Sequence, residues 1–514
     1  QDYKQPGKYY PFATNRQYYL MYANTTEVET PLDTLEKITT FFKIENATDK
    51  EALLQRLLKE NDIYEPMRRK ITEDEKVELE KMNLAGIHFV PEIWRYYPEN
   101  NIGSHILGFV GYTDDGYTGQ YGLEGYFNKE LSGQTGYLQY NRDAIGRIIP
   151  TADLTFDRPE DGFDLLLTID RAVQFYTCGM LEKHAVKYGA ERGTVIIMEP
   201  NTGAIIAMCS YPDFDPNNYN LVDDLYVYNN PAVYDSYEPG SVFKAITMAV
   251  ALDQEKVTPD TMFEDKGEVT IANFTIRNAL NKVYGRQNMK QVLENSINTG
   301  AIWVAQQVGR EKFREYLTNF GFGSQTGISL HGEASGNISA LNQKSDIYMA
   351  TASFGQGITA TPIQLLSAFA ALANGGKLMK PYIVDKILFE SGMSEQNKPT
   401  MIRQVISPKT SLTISAMLGS VVESGHAQRA AVDGYYIGGK TGTAQVSNPG
   451  TGKYYEDKWI HTFLGFAPIS NPKFVMLTKF DHPTNVRFAD SSAAPLFGEI
   501  AKFLLSYLQV PTEK

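Results

Sequence analysis

Tyr237-Glu238-Pro239-Gly240-Ser241-Val242-Phe243-Lys244 opens an apolar stretch that continues through Ile246, Met248, Ala249 and Val250. Pro239-Gly240 reads as a turn that delivers Ser241 to a helix N-terminus, where backbone N–H groups and the dipole favour a developing negative charge. Positions i and i+3 of a helix lie about 5–6 Å apart on one face, so the Lys244 amine stands beside the Ser241 hydroxyl. Serine alone is a poor nucleophile, and an amine kept neutral by burial is one of the few groups able to take its proton.

S-x-x-K recurs at Ser470 and Lys473, but Asn471-Pro472 between them forbids the helix that would stack the two side chains. Lys440-Thr441-Gly442-Thr443 follows Tyr435-Tyr436-Ile437-Gly438-Gly439 and reads as a strand whose glycines let another chain approach its backbone closely. Ser296-Ile297-Asn298 lies between these motifs, after Met289-Lys290-Gln291-Val292-Leu293-Glu294-Asn295. A second S-x-N, Ser335-Gly336-Asn337, sits in a glycine-flanked loop without apolar framing and reads as a plain loop. The ordered set S-x-x-K, S-x-N, K-T-G resembles the signature of the penicillin-recognising acyl-serine enzymes, with Ile297 where the middle motif commonly has Asp.

The 514 residues exceed one ordinary domain and suggest about two to four units. With 42% hydrophobic and 12% aromatic residues the chain can bury a sizeable core. A formal charge of −12 argues against nucleic acid as a partner, which would want clustered Lys and Arg. Seven His and two Cys leave little for a metal site, and no metal or cofactor is expected. Cys178, in a helical pattern, and Cys209, at a strand end, read as small core residues and not as a disulfide or ligands. No stretch approaches the ~20 apolar residues of a membrane span, and a chain starting at Gln1 reads as a trimmed piece whose anchor would lie upstream.

Residues 31–82 carry a charge-rich helical pattern, with Leu35, Ile38, Phe41, Phe42, Leu53, Leu54, Leu57 and Leu58 at three- to four-residue spacing. From Gly103 to Gly146 glycines punctuate short strands, and the polar turn 157–162 closes a first region of 1–160. Beyond it, in 161–514, Leu165–Ile169 reads as a strand and Asp170 as the N-cap of a helix to about Tyr188. Gly193–Met198 and Ala204–Met208 form a hairpin across Glu199-Pro200-Asn201-Thr202-Gly203. With the K-T-G strand, Thr462–Ala467 and Phe474–Thr478, they make an α+β domain: an antiparallel sheet assembled from distant segments and covered by helices, among them the amphipathic Ala493–Leu508.

The chain resembles the class B penicillin-binding proteins, monofunctional peptidoglycan D,D-transpeptidases with a non-catalytic pedestal. Arg95-Tyr96-Tyr97-Pro98, Gly108-Phe109-Val110-Gly111 and Gly122-Leu123-Glu124-Gly125 carry the resemblance in the pedestal. Tyr211-Pro212-Asp213-Phe214-Asp215-Pro216, Phe354-Gly355-Gln356-Gly357 with Thr361-Pro362, and Gly465-Phe466-Ala467-Pro468 carry it in the catalytic domain. Ala493-Ala494-Pro495-Leu496-Phe497 is similar to the septal branch. The chain departs from the family in lacking the opening Arg-Gly and Asp-Arg-Asn-Gly segments, the membrane helix and a C-terminal repeat module, which makes the pedestal read as truncated. Gly425-His426 stands where Gly-Thr is more usual, which leaves a role for His426 in the site open beside its reading as an exposed loop residue.

The resemblance implies the penicillin-binding-protein and serine β-lactamase-like fold, with a five-stranded antiparallel sheet flanked by helices behind an elongated pedestal. It implies Ser241 as nucleophile towards the penultimate D-alanine of a stem peptide, Lys244 as base, Ser296 as proton relay and Asn298 as orienter of the donor amide. Lys440 would supply positive potential, and Thr441, Gly442 and Thr443 would bind the substrate, with the Ser241 and Thr443 N–H groups as oxyanion hole. Stem peptides ending in D-Ala-D-Ala, β-lactams and a SEDS-family polytopic glycosyltransferase of the division complex are the implied partners. The implied location is the outer side of a bacterial membrane on a single-pass anchor. The alternatives are a D,D-carboxypeptidase or β-lactamase using water as acceptor, and a non-catalytic β-lactam sensor or division scaffold.

Overall fold

The computed structural model describes residues 8–113, 116–134, 136–139, 155–448 and 450–514. Pro11–Pro98 forms one compact unit, and Glu99–Lys514 belongs to another.

In the first unit, β1 (Thr14–Ala23) runs between β2 (Glu65–Ile71) and β3 (Ile87–Tyr96), antiparallel to both. The helices α1 (Pro31–Phe41), α2 (Ala47–Leu57) and α3 (Glu73–Lys81) complete it. Its core joins Met21, Ala23, Ile38, Leu57, Met67, Ile71 and Leu79, so the Ile38 and Leu57 stripes face the sheet as their spacing requires. The continuous helical reading of 31–82 is interrupted by β2, whose exposed Arg68, Arg69 and Lys70 hide the alternation that marks a strand. At the end of β3, Tyr97 is buried while Trp94 and Tyr96 are half-buried. The glycine-punctuated stretch belongs to the second unit and contains the short hairpin Phe109–Thr113 with Gly116–Gln120, and its residues 114, 115, 135 and 140–146 lie outside those described.

In the second unit, Asp170 caps α4 (Arg171–Tyr188), accepting from the Val173 N–H at 3.0 Å. The central sheet takes β4 (Arg192–Met198), β5 (Ile205–Tyr211), β6 (Gly438–Asn448), β7 (Lys453–Ala467) and β8 (Phe474–Asp481) in the order β5-β4-β8-β7-β6, antiparallel throughout. The strands predicted on either side of the helical middle thus meet as one five-stranded sheet with the K-T-G strand at its edge. The closing helix Ala493–Tyr507 packs on β7 and β8, with Leu496, Phe497, Ile500, Ala501 and Leu504 buried. On the same sheet packs Pro362–Ala373, capped by the Thr361–Gln364 box and buried from Pro362 to Leu372.

One expectation fails: Cys178 and Cys209 form a disulfide. Cys178 on α4 and Cys209 on β5 meet because the helix lies against that strand, a contact that 31 residues of separation do not announce. The structure therefore corrects the reading of both as unbonded core residues.

Candidate active site

Gly240–Phe243 forms a single 3₁₀ turn that runs without a break into the helix Lys244–Asp253, whose residues from Lys244 to Leu252 are buried. Two glycines let this turn sit against the sheet edge. Gly240 has φ +60°, and its N–H donates to the Gly355 carbonyl at 3.0 Å. A Cβ on Gly442 would lie 3.0 Å from both the Pro239 carbonyl oxygen and Val242 Cγ1. The K-T-G glycine is thus where the edge strand and the Ser241 turn come closest.

The three motifs converge on Lys244. Its Nζ donates to the Ser296 carbonyl at 2.5 Å, to Ser296 Oγ at 3.2 Å and to Asn298 Oδ1 at 2.7 Å. Lys440 Nζ reaches the same Ser296 Oγ at 3.1 Å and the Thr441 carbonyl at 3.2 Å. One hydroxyl therefore bridges two amines. Both lysines are buried, at 1% and 0% exposure. Burial first, then the Lys440 charge, drives the Lys244 amine well below its ordinary pKa, and burial alone brings Lys440 to about 7. The protons of Lys244 are directed to Ser296 and Asn298, and no hydrogen bond joins its amine to the half-buried Ser241 hydroxyl.

Ser296 lies in the turn between the helices Met289–Glu294 and Asn298–Val308 with φ +52°, a left-handed conformation that costs a non-glycine residue about 1–2 kcal/mol. Ile297, the residue that replaces the usual Asp, is fully buried. Thr443 Oγ1 accepts from the Ala489 N–H at 3.1 Å, which leaves its own proton free for an anion in the cleft. Thr441 is buried.

The second copies of the motifs lie elsewhere. Ser470 and Lys473 are exposed in the turn between β7 and β8, and Ser470 donates to Glu513. Ser335 and Asn337 serve loop structure: the Ser335 carbonyl accepts from Gln364, and Asn337 pairs with Thr359. His426 is exposed as expected, and its N–H donates to the Glu294 carbonyl at 3.3 Å, one residue away from the Asn295-Ser296 turn. Desolvation, then the Lys440 charge, keeps the imidazole below its ordinary pKa.

Two contacts carry no sequence signal. Glu238 accepts from the Gly357 N–H and from the Tyr454 hydroxyl, each at 2.9 Å, tying the β6–β7 hairpin to the turn before Ser241. Behind it, Lys479 and Asp481 form a buried ion pair under the Tyr237 ring. The cavities of 490 and 630 Å³ lie away from these motifs, around Lys380 and Tyr382 and around Arg192 and Tyr226. Among the described residues no cluster suits a metal ion, and no helix is long and apolar enough to cross a membrane.

Residues 193–502 match the penicillin binding protein transpeptidase domain, and residues 8–167 match the penicillin-binding protein dimerisation domain. The chain is 34% identical over 510 residues to stage V sporulation protein D of Bacillus subtilis, covering 98% of this chain and 77% of that one. It is 30% identical over 436 residues to the peptidoglycan D,D-transpeptidase FtsI of Buchnera aphidicola, covering 83% and 72%. Among solved structures it resembles penicillin binding protein 3 of Mycobacterium tuberculosis complexed with aztreonam, with TM-score 0.74 and 29% identity over 82% of this chain and 92% of that one. A five-stranded antiparallel sheet with the K-T-G motif on its edge and these matches along nearly the whole length lead to one conclusion: the chain belongs to the penicillin-binding protein transpeptidases, with the dimerisation domain ahead of the transpeptidase domain.

Proposed function

We propose that this chain is a serine-type peptidoglycan D,D-transpeptidase that cross-links stem peptides during cell-wall, and specifically septal, synthesis. The observation that carries the reading is the convergence of Lys244, Ser296, Asn298 and Lys440 immediately behind the Ser241 turn. Ser241 Oγ attacks the carbonyl carbon of the penultimate D-alanine while neutral Lys244 takes its proton. The negative oxygen is met by the N–H groups of Ser241 and Thr443, each donor worth a few kcal/mol. The C–N bond then breaks, Ser296 passes a proton to the leaving nitrogen, and D-alanine departs from an ester on Ser241. The amine of a second stem peptide attacks that ester, gives up its proton to Lys244 and regenerates the Ser241 hydroxyl through the same chain. Lys440, Thr441 and Thr443 bind the terminal carboxylate, and Gly442 lets the strand that carries them lie against the Ser241 turn. The carboxamide of Asn298 is spent on Lys244 and on the Arg277 carbonyl at 3.0 Å, so we assign it first to holding the base. It orients the donor amide once its Nδ2 leaves Arg277.

The test is intact-protein mass spectrometry after incubation with penicillin. A single stable adduct on Ser241, absent from Ser241→Ala, is the expected result. An adduct on Ser470, or undiminished labelling of Ser241→Ala, removes the assignment. Rapid release of hydrolysed drug instead marks a β-lactamase, and labelling without cross-linked product from stem peptides marks a sensor.

We further propose that residues 1–160 are a non-catalytic pedestal and 161–514 the catalytic domain, held outside the cytoplasm by an anchor. The Cys178–Cys209 disulfide supports an oxidising compartment. The pedestal would engage the SEDS-family polytopic glycosyltransferase through α3, whose Thr72–Glu75 capping box fixes a helix with exposed Asp74, Glu78 and Glu80. Reversing those three charges is expected to abolish co-purification with the glycosyltransferase while acylation of the soluble protein is unchanged. Undiminished association after deletion of the whole pedestal rules this out.

A further inference from the structure

Asp265 ends the strand Met262–Asp265, outside all three motifs, and only 1% of it is exposed. Its carboxylate accepts from the Gly267 N–H at 2.9 Å, the Tyr284 N–H at 2.8 Å and the Thr299 hydroxyl at 2.6 Å. Asn278 Nδ2 donates to both of its oxygens, at 3.0 and 2.9 Å. Burial pushes the carboxyl up, but these donors, Thr299 foremost, outweigh it and keep the group below its ordinary value as an anion.

This network leads into the cleft. Asn278 Oδ1 accepts from both the N–H and the hydroxyl of Thr299, at 3.2 Å each, so the residue after Asn298 is held by backbone and side chain together. The neighbouring Arg277 carbonyl takes the Asn298 Nδ2 at 3.0 Å, which turns Oδ1 of the same carboxamide towards Lys244 at 2.7 Å. Ile297 offers no side-chain cap to the helix that Asn298 opens. The orientation of Asn298 is therefore imposed from the Asp265 side.

We propose that Asp265 is a positioning residue for acylation: through Asn278 and Thr299 it sets the Asn298 carboxamide against the Lys244 amine. The proposal rests on the reading of Lys244 as base. Asp265 touches no reacting atom. A carbonyl oxygen accepting from an amine favours its charged form, so loosening Asn298 both misdirects the amine and lowers its proton affinity.

The experiment measures the second-order rate of penicillin acylation against pH, together with thermal melting, for Asp265→Asn, Thr299→Val, Thr299→Ser and Lys244→Ala. Thr299→Val, which replaces the hydroxyl by a methyl group, is expected to slow acylation on the order of 10- to 100-fold. Its acid limb should move to lower pH, and Thr299→Ser should restore both. If Asp265→Asn does not fold, the Thr299 pair decides. A rate loss in Thr299→Val with an unmoved acid limb reduces the network to a structural role, and a parental rate and limb overturn the proposal outright. If Lys244→Ala acylates at nearly the parental rate, the base reading itself fails and the proposal falls with it; if only Thr299→Val is silent, positioning alone fails.

Discussion

Lys244→Ala is expected to slow acylation of Ser241 by about 10²–10⁴-fold, the range spanned by loss of a positioned general base. The residue is buried, its amine is held by three oxygens of Ser296 and Asn298, and its proton affinity is depressed before any substrate arrives. Members of a cooperating set fail together, so adding Ser296→Ala to Lys244→Ala should cost little more. Acylation of Lys244→Ala within about tenfold of the parent would place the base elsewhere. The pH dependence follows from the two lysines. Neutral Lys244 is required above an acid limb, and cationic Lys440 below an alkaline limb near 7, so the rate passes through a maximum. Arginine stays charged, so Lys440→Arg should flatten the alkaline limb. Stability has its own sign: a lysine whose folded pKa is lowered binds fewer protons folded than unfolded. The fold should therefore gain stability as pH rises from about 7 towards the unfolded lysine value of about 10.4.

Asp481→Ala should be the most destabilising single substitution behind the cleft, at about 3–5 kcal/mol. Lys479 and Asp481 are 1% and 3% exposed, and the amine lies 2.5 and 2.6 Å from the two carboxylate oxygens. The same amine stands 5.0 Å from the centre of the Tyr237 ring, whose hydroxyl meets Thr462 Oγ1 at 3.1 Å. Removing the carboxylate strands a cation beneath the turn that presents Ser241. The companion variant Lys479→Met/Asp481→Leu removes both charges and should unfold at nearly the parental denaturant midpoint or above it. A loss below about 1 kcal/mol for Asp481→Ala would mean that the cation finds another partner or leaves the interior.

The meeting of the three motifs was legible because each is a short local pattern. Pro239-Gly240 announces the turn before Ser241, and the glycine of K-T-G announces the close approach seen at Pro239 and Val242. The sheet was legible for a similar reason: β4, β5, β8 and the Thr462–Ala467 half of β7 are apolar runs bounded by turn residues, whereas the exposed, charged start of β7 from Lys453 carries no such signal. Illegible were contacts that depend on which segments meet. Asp265 reads as one acid among many until Asn278, Tyr284 and Thr299 close around it. The burial of Lys440 and Lys479 in strands, and the strands of the first unit with their exposed Arg68, Arg69 and Lys70, run against composition, because tertiary context outweighs local preference there.

The Cys178–Cys209 bond gives the chain an order of assembly as well as a tie. It turns part of a linear polymer into a ring holding the end of α4, all of β4 and most of β5, and closing a sequence separation of 31 removes about 3–4 kcal/mol of freedom from the unfolded chain. Every residue of that ring precedes Ser241, Ser296 and Lys440 in sequence. A chain that emerges from its N-terminal end can therefore lock one border of the sheet covalently while Ser241, Ser296 and the opposite border are still to come, so the far strands dock onto a frame that is already closed.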